Sequence, residues 1–277
     1  MILQQVFMCR GSEEGSGFFN TNFEIKLIFL LIIIGLVIWD IKDKKRIDYR
    51  AILTTGTITW SLAELIMQLT GIRELQIVYI FGWELPFLLQ VVIKGCVEGA
   101  GVAIFCMFFS DRIMFGEKKT RLLWGCIYTV ALTLLFLDAF KEGIQIPDYG
   151  GIIPSRRSMI EPISLMFLFI FSSIGVVWYL KSQSKELKRR AFNMFISMIV
   201  FGTVWTLAEY FAGTRWIEVG TFSSSFHAPP LIEFFALSFD VVVEIALVYV
   251  PFFVIPILTK DIKINSERNS SSQSIKE

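Results

Sequence analysis

Trp60-Ser61-Leu62-Ala63-Glu64 and Trp205-Thr206-Leu207-Ala208-Glu209 are two versions of one pentapeptide, each set inside a long apolar run. A carboxylate in hydrocarbon costs about 3 kcal/mol or more unless it faces a partner or water, so a duplicated one reads as part of a functional site. The likeness continues along the chain. Gly71-Ile72-Arg73 follows the first copy and Gly213-Thr214-Arg215 the second; Pro86 and Pro230 open the next apolar runs; and these carry Lys94 and Glu98 in one case, Asp240 and Glu244 in the other, both at i and i+4.

Outward from these copies, seven stretches have the length of about 20 apolar residues that a bilayer crossing needs. They fall at 23–41, 51–71, 86–110, 121–138, 160–181, 192–213 and 231–258, here A to G. The chain is 277 residues long with 54% hydrophobic and 15% aromatic residues, too apolar to hide such runs in one soluble core. The expected fold is an all-α membrane protein of seven transmembrane helices in two parallel three-helix repeats, A-B-C and E-F-G, joined by helix D.

The expected organisation is a disordered outer tail at 1–22, a first repeat at 23–110, helix D with an outer loop at 111–159, a second repeat at 160–258 and a disordered cytoplasmic tail at 259–277. Basic residues orient it. Asp40 to Arg50 carries five Lys or Arg, Asp111 to Arg121 four, Lys181 to Arg190 five and the C-terminal tail four, against Arg73, Lys141, Arg156, Arg157 and Arg215 on the other side. The positive-inside tendency places the N-terminus outside and the C-terminus in the cytoplasm of a multi-pass protein of the cell membrane. Trp39, Trp124 and Trp178 fall near the cytoplasmic ends, where such rings anchor.

Helices A, D and E read as free of ionisable residues in their interiors, whereas B, C, F and G supply Glu64, Lys94, Glu98, Glu209, Asp240 and Glu244. Glu64 lies about 10 Å below the outer end of B at 1.5 Å per residue, and Lys94 lies at a similar depth in C. These six are the expected substrate-binding or proton-coupling groups of a cavity open to the outer face. Lys94 would pair with Glu98 on its own helix or meet Asp240 across the pseudo-axis. Glu64 and Glu209 would form the rim, with Trp60 and Trp205 lining the cavity and Arg73 and Arg215 at its mouth.

Gly95, Gly99 and Gly101 allow close helix approach, Pro251 and Pro256 kink the end of G, and His227 is a surface residue of the F–G loop. The four cysteines read as inert small hydrophobes, Cys9 lying in a polar tail. One histidine makes no His-rich zinc site, and neither a Gly-x-Ser-x-Gly elbow nor a phosphate-binding glycine loop occurs, so no metal and no cofactor is expected. Net charge near zero argues against a nucleic-acid partner. The expected partners are the lipid bilayer and a small molecule in the bundle.

The three-plus-one-plus-three order resembles that of the SWEET sugar transporters, without their Pro-Gln motif, and the likeness is one of architecture. Glu209-x-x-x-Gly213-Thr214 with Trp216 is similar to the Glu-x-x-Gly-Thr pattern of membrane-embedded carotenoid hydratases, without the Phe-Gly-x-Tyr continuation. The leading functional expectation is a carrier for a small polar or cationic solute, with protonation of Glu98 or Glu244 as the coupling step. The alternatives are a membrane-embedded enzyme acting on an isoprenoid or lipid by carboxylic-acid catalysis, and a seven-helix ligand sensor.

Overall fold

A computed structural model describes residues 5–11, 23–44, 48–72, 78–141, 143–151, 155–181, 184–221 and 223–247. Arg73, the end of G with Pro251 and Pro256, and the tail at 259–277 lie outside the described residues. The protein is mostly helical, with seven helical rods among the described residues. They are α1 (Glu24–Lys44), α2 (Asp48–Leu69), α3 (residues 87–115), α4 (Lys118–Asp138), α5 (Pro162–Lys181), α6 (Lys185–Phe211) and α7 (residues 230–247), in the order of A to G. Three are long and apolar enough to cross a membrane: Phe87–Met114 of α3, Lys118–Asp138 and Lys185–Phe211.

The helix starts follow local chemistry. Pro86 precedes α3 and Pro229-Pro230 opens α7, positions where a missing N–H leaves nothing unpaired. Ser184 caps α6, its hydroxyl accepting from the Leu187 N–H at 3.3 Å.

Two of the rods change pitch along their length. In α3 the α-helical turns Phe87–Lys94 and Val102–Phe115 flank a π-helical stretch at Gly95–Gly101, where the Val102 N–H reaches the Val97 carbonyl five residues back. In α7 the turns Pro230–Phe239 run into a π-helical stretch at Asp240–Leu247. Such wide turns are rare and concentrate at functional sites. The one in α3 is pressed against α2: a Cβ on Gly95 would lie 2.8 Å from the Thr57 carbonyl oxygen, and one on Gly99 2.7 Å from Trp60 Cβ.

The bundle core is aromatic. Phe105, Phe108 and Phe109 of α3 meet Trp124 and Tyr128 of α4 and Phe201 of α6, with Phe109 and Tyr128 stacked at 4.7 Å between centroids. At one end Arg190 of α6 forks onto Asp111 of α3 at 2.6 to 3.1 Å and reaches Asp48 of α2 at 2.6 Å. Beside it Arg112 lies over Trp39, Phe108 and Trp124 at 4.5 to 5.0 Å. The start of α2, the end of α3 and the start of α6 thus share one end of the bundle.

The opposite end is not all-α, which corrects the expected fold class. Strands β1 (Gln5–Arg10), β4 (Ser155–Ser158), β5 (Arg215–Thr221) and β6 (Ser224–His227) form an antiparallel sheet in the order β4-β1-β5-β6, and β2 (Tyr79–Ile80) pairs with β3 (Trp83–Glu84) in a hairpin. Residues 5–10, expected in a disordered tail, are its second strand. Their alternation explains why: Met8 joins Met159, Ile217, Val219 and Ala236 of α7, while Phe7 and Cys9 on the other face pack with Trp216. Cys9 is wholly buried there. Its thiol is pushed up to about 12 by burial and by the neighbouring Glu218, so inertness has a physical cause.

Candidate functional site

Period-two alternation in the sheet puts Arg10, Arg157 and Arg215 on the face toward the helices, along with Met8 and Ile217. Asp240, at the start of the π stretch of α7, accepts from Arg215 Nη1 at 2.5 Å, from Arg157 Nη2 at 2.9 Å and from the Thr206 hydroxyl at 3.3 Å. Arg157 also donates to Glu244, one turn further on. Glu209 lies 2.6 Å from Arg215 Nη2 and 3.8 Å from Arg10 Nε. Trp205 completes this group, its ring 5.4 Å from each of the Arg10 and Arg215 guanidinium carbons.

The second group is built by α1, α2 and α3. Glu64 accepts from Gln68 Nε2 at 2.5 Å, one turn along α2, and from Lys94 Nζ at 3.4 Å. Lys26, in the first turn of α1, donates to Glu98 at 2.9 Å and sits 3.7 Å over the Phe23 ring. The two groups adjoin: Arg157 feels the charge of Glu64, and Lys26 those of Lys94 and Arg10. Burial alone would lower the pKa of Arg157, but Glu244 and Asp240 outweigh it and keep the guanidinium charged.

Five of the six expected site residues are buried near the sheet end and Glu244 is half-buried there, with Glu64, Lys94 and Glu98 engaging neighbouring helices. Lys94 pairs with Glu64 of the neighbouring helix. Glu98, within the wide turn of α3, meets the Lys26 ammonium of α1. Glu64 is no rim residue, since it is fully buried. Arg215, expected at the mouth, is 1% exposed and lies within the cluster. Trp60 flanks Gly99 and so packs against α3.

Three cations of this cluster escaped the sequence reading. Lys26 contradicts a charge-free helix A; the signal was a single lysine a few residues into an apolar run. By sequence Arg157 falls among loop charges and Arg10 in a polar tail, although Val6-Phe7-Met8-Cys9 before it has the composition of a strand. Among the described residues they stand with Lys94 and Arg215 beside the acids Glu64, Glu98, Glu209, Asp240 and Glu244.

Other buried charges are clamps. Glu218, on the far face of the sheet, accepts from Arg156 and Ser225 at 2.5 Å, Trp216 Nε1 at 2.9 Å and the Gly150 N–H at 3.0 Å. Burial would raise its carboxyl, but these donors hold it below the usual value. His227, half exposed, pairs with Glu233 at 3.1 Å, and Glu233 also accepts from Tyr210 at 3.2 Å. Comparison with protein families, with characterised proteins and with solved structures gives no match.

Proposed function

We propose that the chain is a carrier for a small polar or cationic solute, spanning the cell membrane seven times with its N-terminus outside and its C-terminus cytoplasmic. In this reading α1–α3 and α5–α7 are parallel halves joined by α4, the sheet caps the outer end, and the basic end faces the cytoplasm. One observation carries it. Glu98 and Glu244 stand in π-helical stretches at matching places of the third helix of each half, each held by a cation from the beginning of its half: Lys26 in the first turn of α1, Arg157 in the strand before α5. The pairing of Glu64 with Lys94 has its counterpart in Glu209, Arg215 and Asp240.

Clamps for stability alone do not call for so many charges, because a buried ion pair gains little over well-packed apolar residues. Exchange gives them a role. An incoming cation replaces a resident ammonium on its carboxylate, Lys94 on Glu64 being the first candidate with its long 3.4 Å contact. A π stretch that relaxes to α pitch turns its side chains by about 100°, one residue's rotation, which would carry Glu98 off Lys26 as the halves rock. Protonation of Glu98 or Glu244 supplies the coupling. The enzyme reading is weaker because each of the five acids already accepts from or pairs with a cation.

The test is uptake of labelled amines, amino acids and sugars into vesicles containing the purified chain, with and without a pH gradient. Accumulation of at least one solute above protein-free vesicles, abolished by Glu98→Gln, is the expected result. No accumulation of any of them in either condition refutes the carrier.

A further inference from the structure

Resting on the reading of the chain as membrane-spanning, we propose that the hairpin of β2 and β3 is a lipid anchor, with Phe81 and Trp83 set in the headgroup boundary of the bilayer. Ile80 and Trp83 stand opposite each other, and Phe81 and Gly82 between them have positive φ angles of 50° and 77°. Two such residues make the turn whose twist suits a tight hairpin, and Asn, Asp or Gly normally takes the first place. Phe81 is the one non-glycine residue with positive φ among the described residues. A bulky side chain in that conformation is strained and persists only where something else fixes it. Packing inside the protein does not offset the strain, since the Phe81 and Trp83 side chains are 75% and 80% exposed. A surface outside the chain can.

The position of the hairpin identifies that surface as lipid. The Phe81 N–H donates to Glu24 Oε1 at 2.6 Å and the Phe23 N–H to the Tyr79 carbonyl at 2.9 Å, so the hairpin is fastened to the start of α1. With 21 residues α1 is about 30 Å long at 1.5 Å per residue, the thickness of a hydrocarbon core. Its start, and the hairpin with it, falls where membrane meets water. The helix ends beside the hairpin are open and apolar: Leu69 closes α2, and Leu88 and Leu89 lie in the first turn of α3, all three exposed. Neither Phe81 nor Trp83 carries a charge, and an indole ring prefers the headgroup level. Trp39 and Trp124 stand at the basic end, and Trp83 gives the opposite end its own such ring. Lys26, two residues beyond Glu24, holds Glu98, so the anchor also steadies the helix start that carries this pair.

The full chain in phosphatidylcholine vesicles tests this with an environment-sensitive fluorophore on Glu84→Cys, an exposed position that keeps both rings. Exposed Cys126 is first changed to Ser, and the chain without Glu84→Cys supplies the background. We expect the label to lose most of its emission to phospholipid bearing a nitroxide near its headgroup and little to aqueous iodide. Ser223→Cys, exposed in the β5–β6 turn, should show the reverse. Phe81→Ser with Trp83→Ser should move the Glu84→Cys label from lipid to iodide; a label that stays with lipid overturns the anchoring role of the rings. Leu134→Cys, exposed on α4, reports on the bilayer crossing separately. Iodide quenching at Glu84→Cys with lipid quenching at Leu134→Cys overturns the anchor and leaves the membrane reading standing, whereas iodide quenching at both removes the two together. Shielding of Glu84→Cys from both quenchers would mean that protein, such as a second copy of the chain, covers the hairpin, and also overturns the lipid anchor.

Discussion

Lys26, in the first turn of α1, donates to the Glu98 carboxylate at 2.9 Å while its own side chain is wholly buried. Removing one partner of such a pair strands the other charge, at a cost of about 3–5 kcal/mol. Lys26→Met is therefore expected to lower the unfolding temperature sharply in detergent. The double variant Lys26→Met with Glu98→Gln should recover most of that loss, since neither charge remains. A double variant no better than the single one would show that Lys26 supports the fold through its packing on Phe23 and not through Glu98.

How much of this was legible follows from which contacts are local. The seven rods came through because apolar runs of about 20 residues carry their own signal. The five acids and one lysine in α2, α3, α6 and α7 stand out as charges misplaced in such runs. Their partners did not. The i, i+4 spacing of Lys94 and Glu98 is local, whereas the partners the two meet, Glu64 and Lys26, stand on other helices and leave no local signal. Arg10, Arg157 and Arg215 come from strands far apart in sequence, and no single strand shows that the three meet. A short strand such as β1, six residues long, also lacks the length that made the helices plain.

Gly95 is expected to reject any side chain. A Cβ there would meet the Thr57 carbonyl oxygen at 2.8 Å, and backbone has no rotamer with which to give way. Gly95→Ala should cost about 1–3 kcal/mol by forcing α2 from α3, read as a lower unfolding temperature. Gly35→Ala in α1 is the control, because a Cβ at that position meets nothing within 4 Å. There the same change should be neutral or stabilising, by up to about 1 kcal/mol from helix propensity.

Glu218 predicts how the sheet responds to acid. Four donors hold its folded-state pKa below the ordinary glutamate value, so its contribution is complete at neutral pH. As pH falls below the unfolded value the unfolded state takes up a proton first, and stability declines until the folded carboxyl is also protonated. Unfolding measured between about pH 6 and 3 should show this fall, counting from the ordinary glutamate pKa near 4.3. Glu218→Gln should be less stable at neutral pH and should lose part of that acid-dependent slope. An unchanged slope would mean that other carboxylates govern the acid limb.

Orientation is decided by which end an impermeant reagent reaches. Ser223 lies exposed in the turn between β5 and β6, and Lys119 is exposed at the start of α4, at the basic end. The native Cys9 should stay silent to a charged maleimide, because burial and Glu218 push its thiol to about 12 and leave almost no thiolate at neutral pH. On intact cells Ser223→Cys is then expected to label at once, and Lys119→Cys only after the membrane is opened. The reverse pattern would put the sheet in the cytoplasm and overturn the proposed orientation. Equal labelling of both positions before permeabilisation would remove the membrane-spanning arrangement itself, since a sealed bilayer between the sheet and the basic turns forbids it.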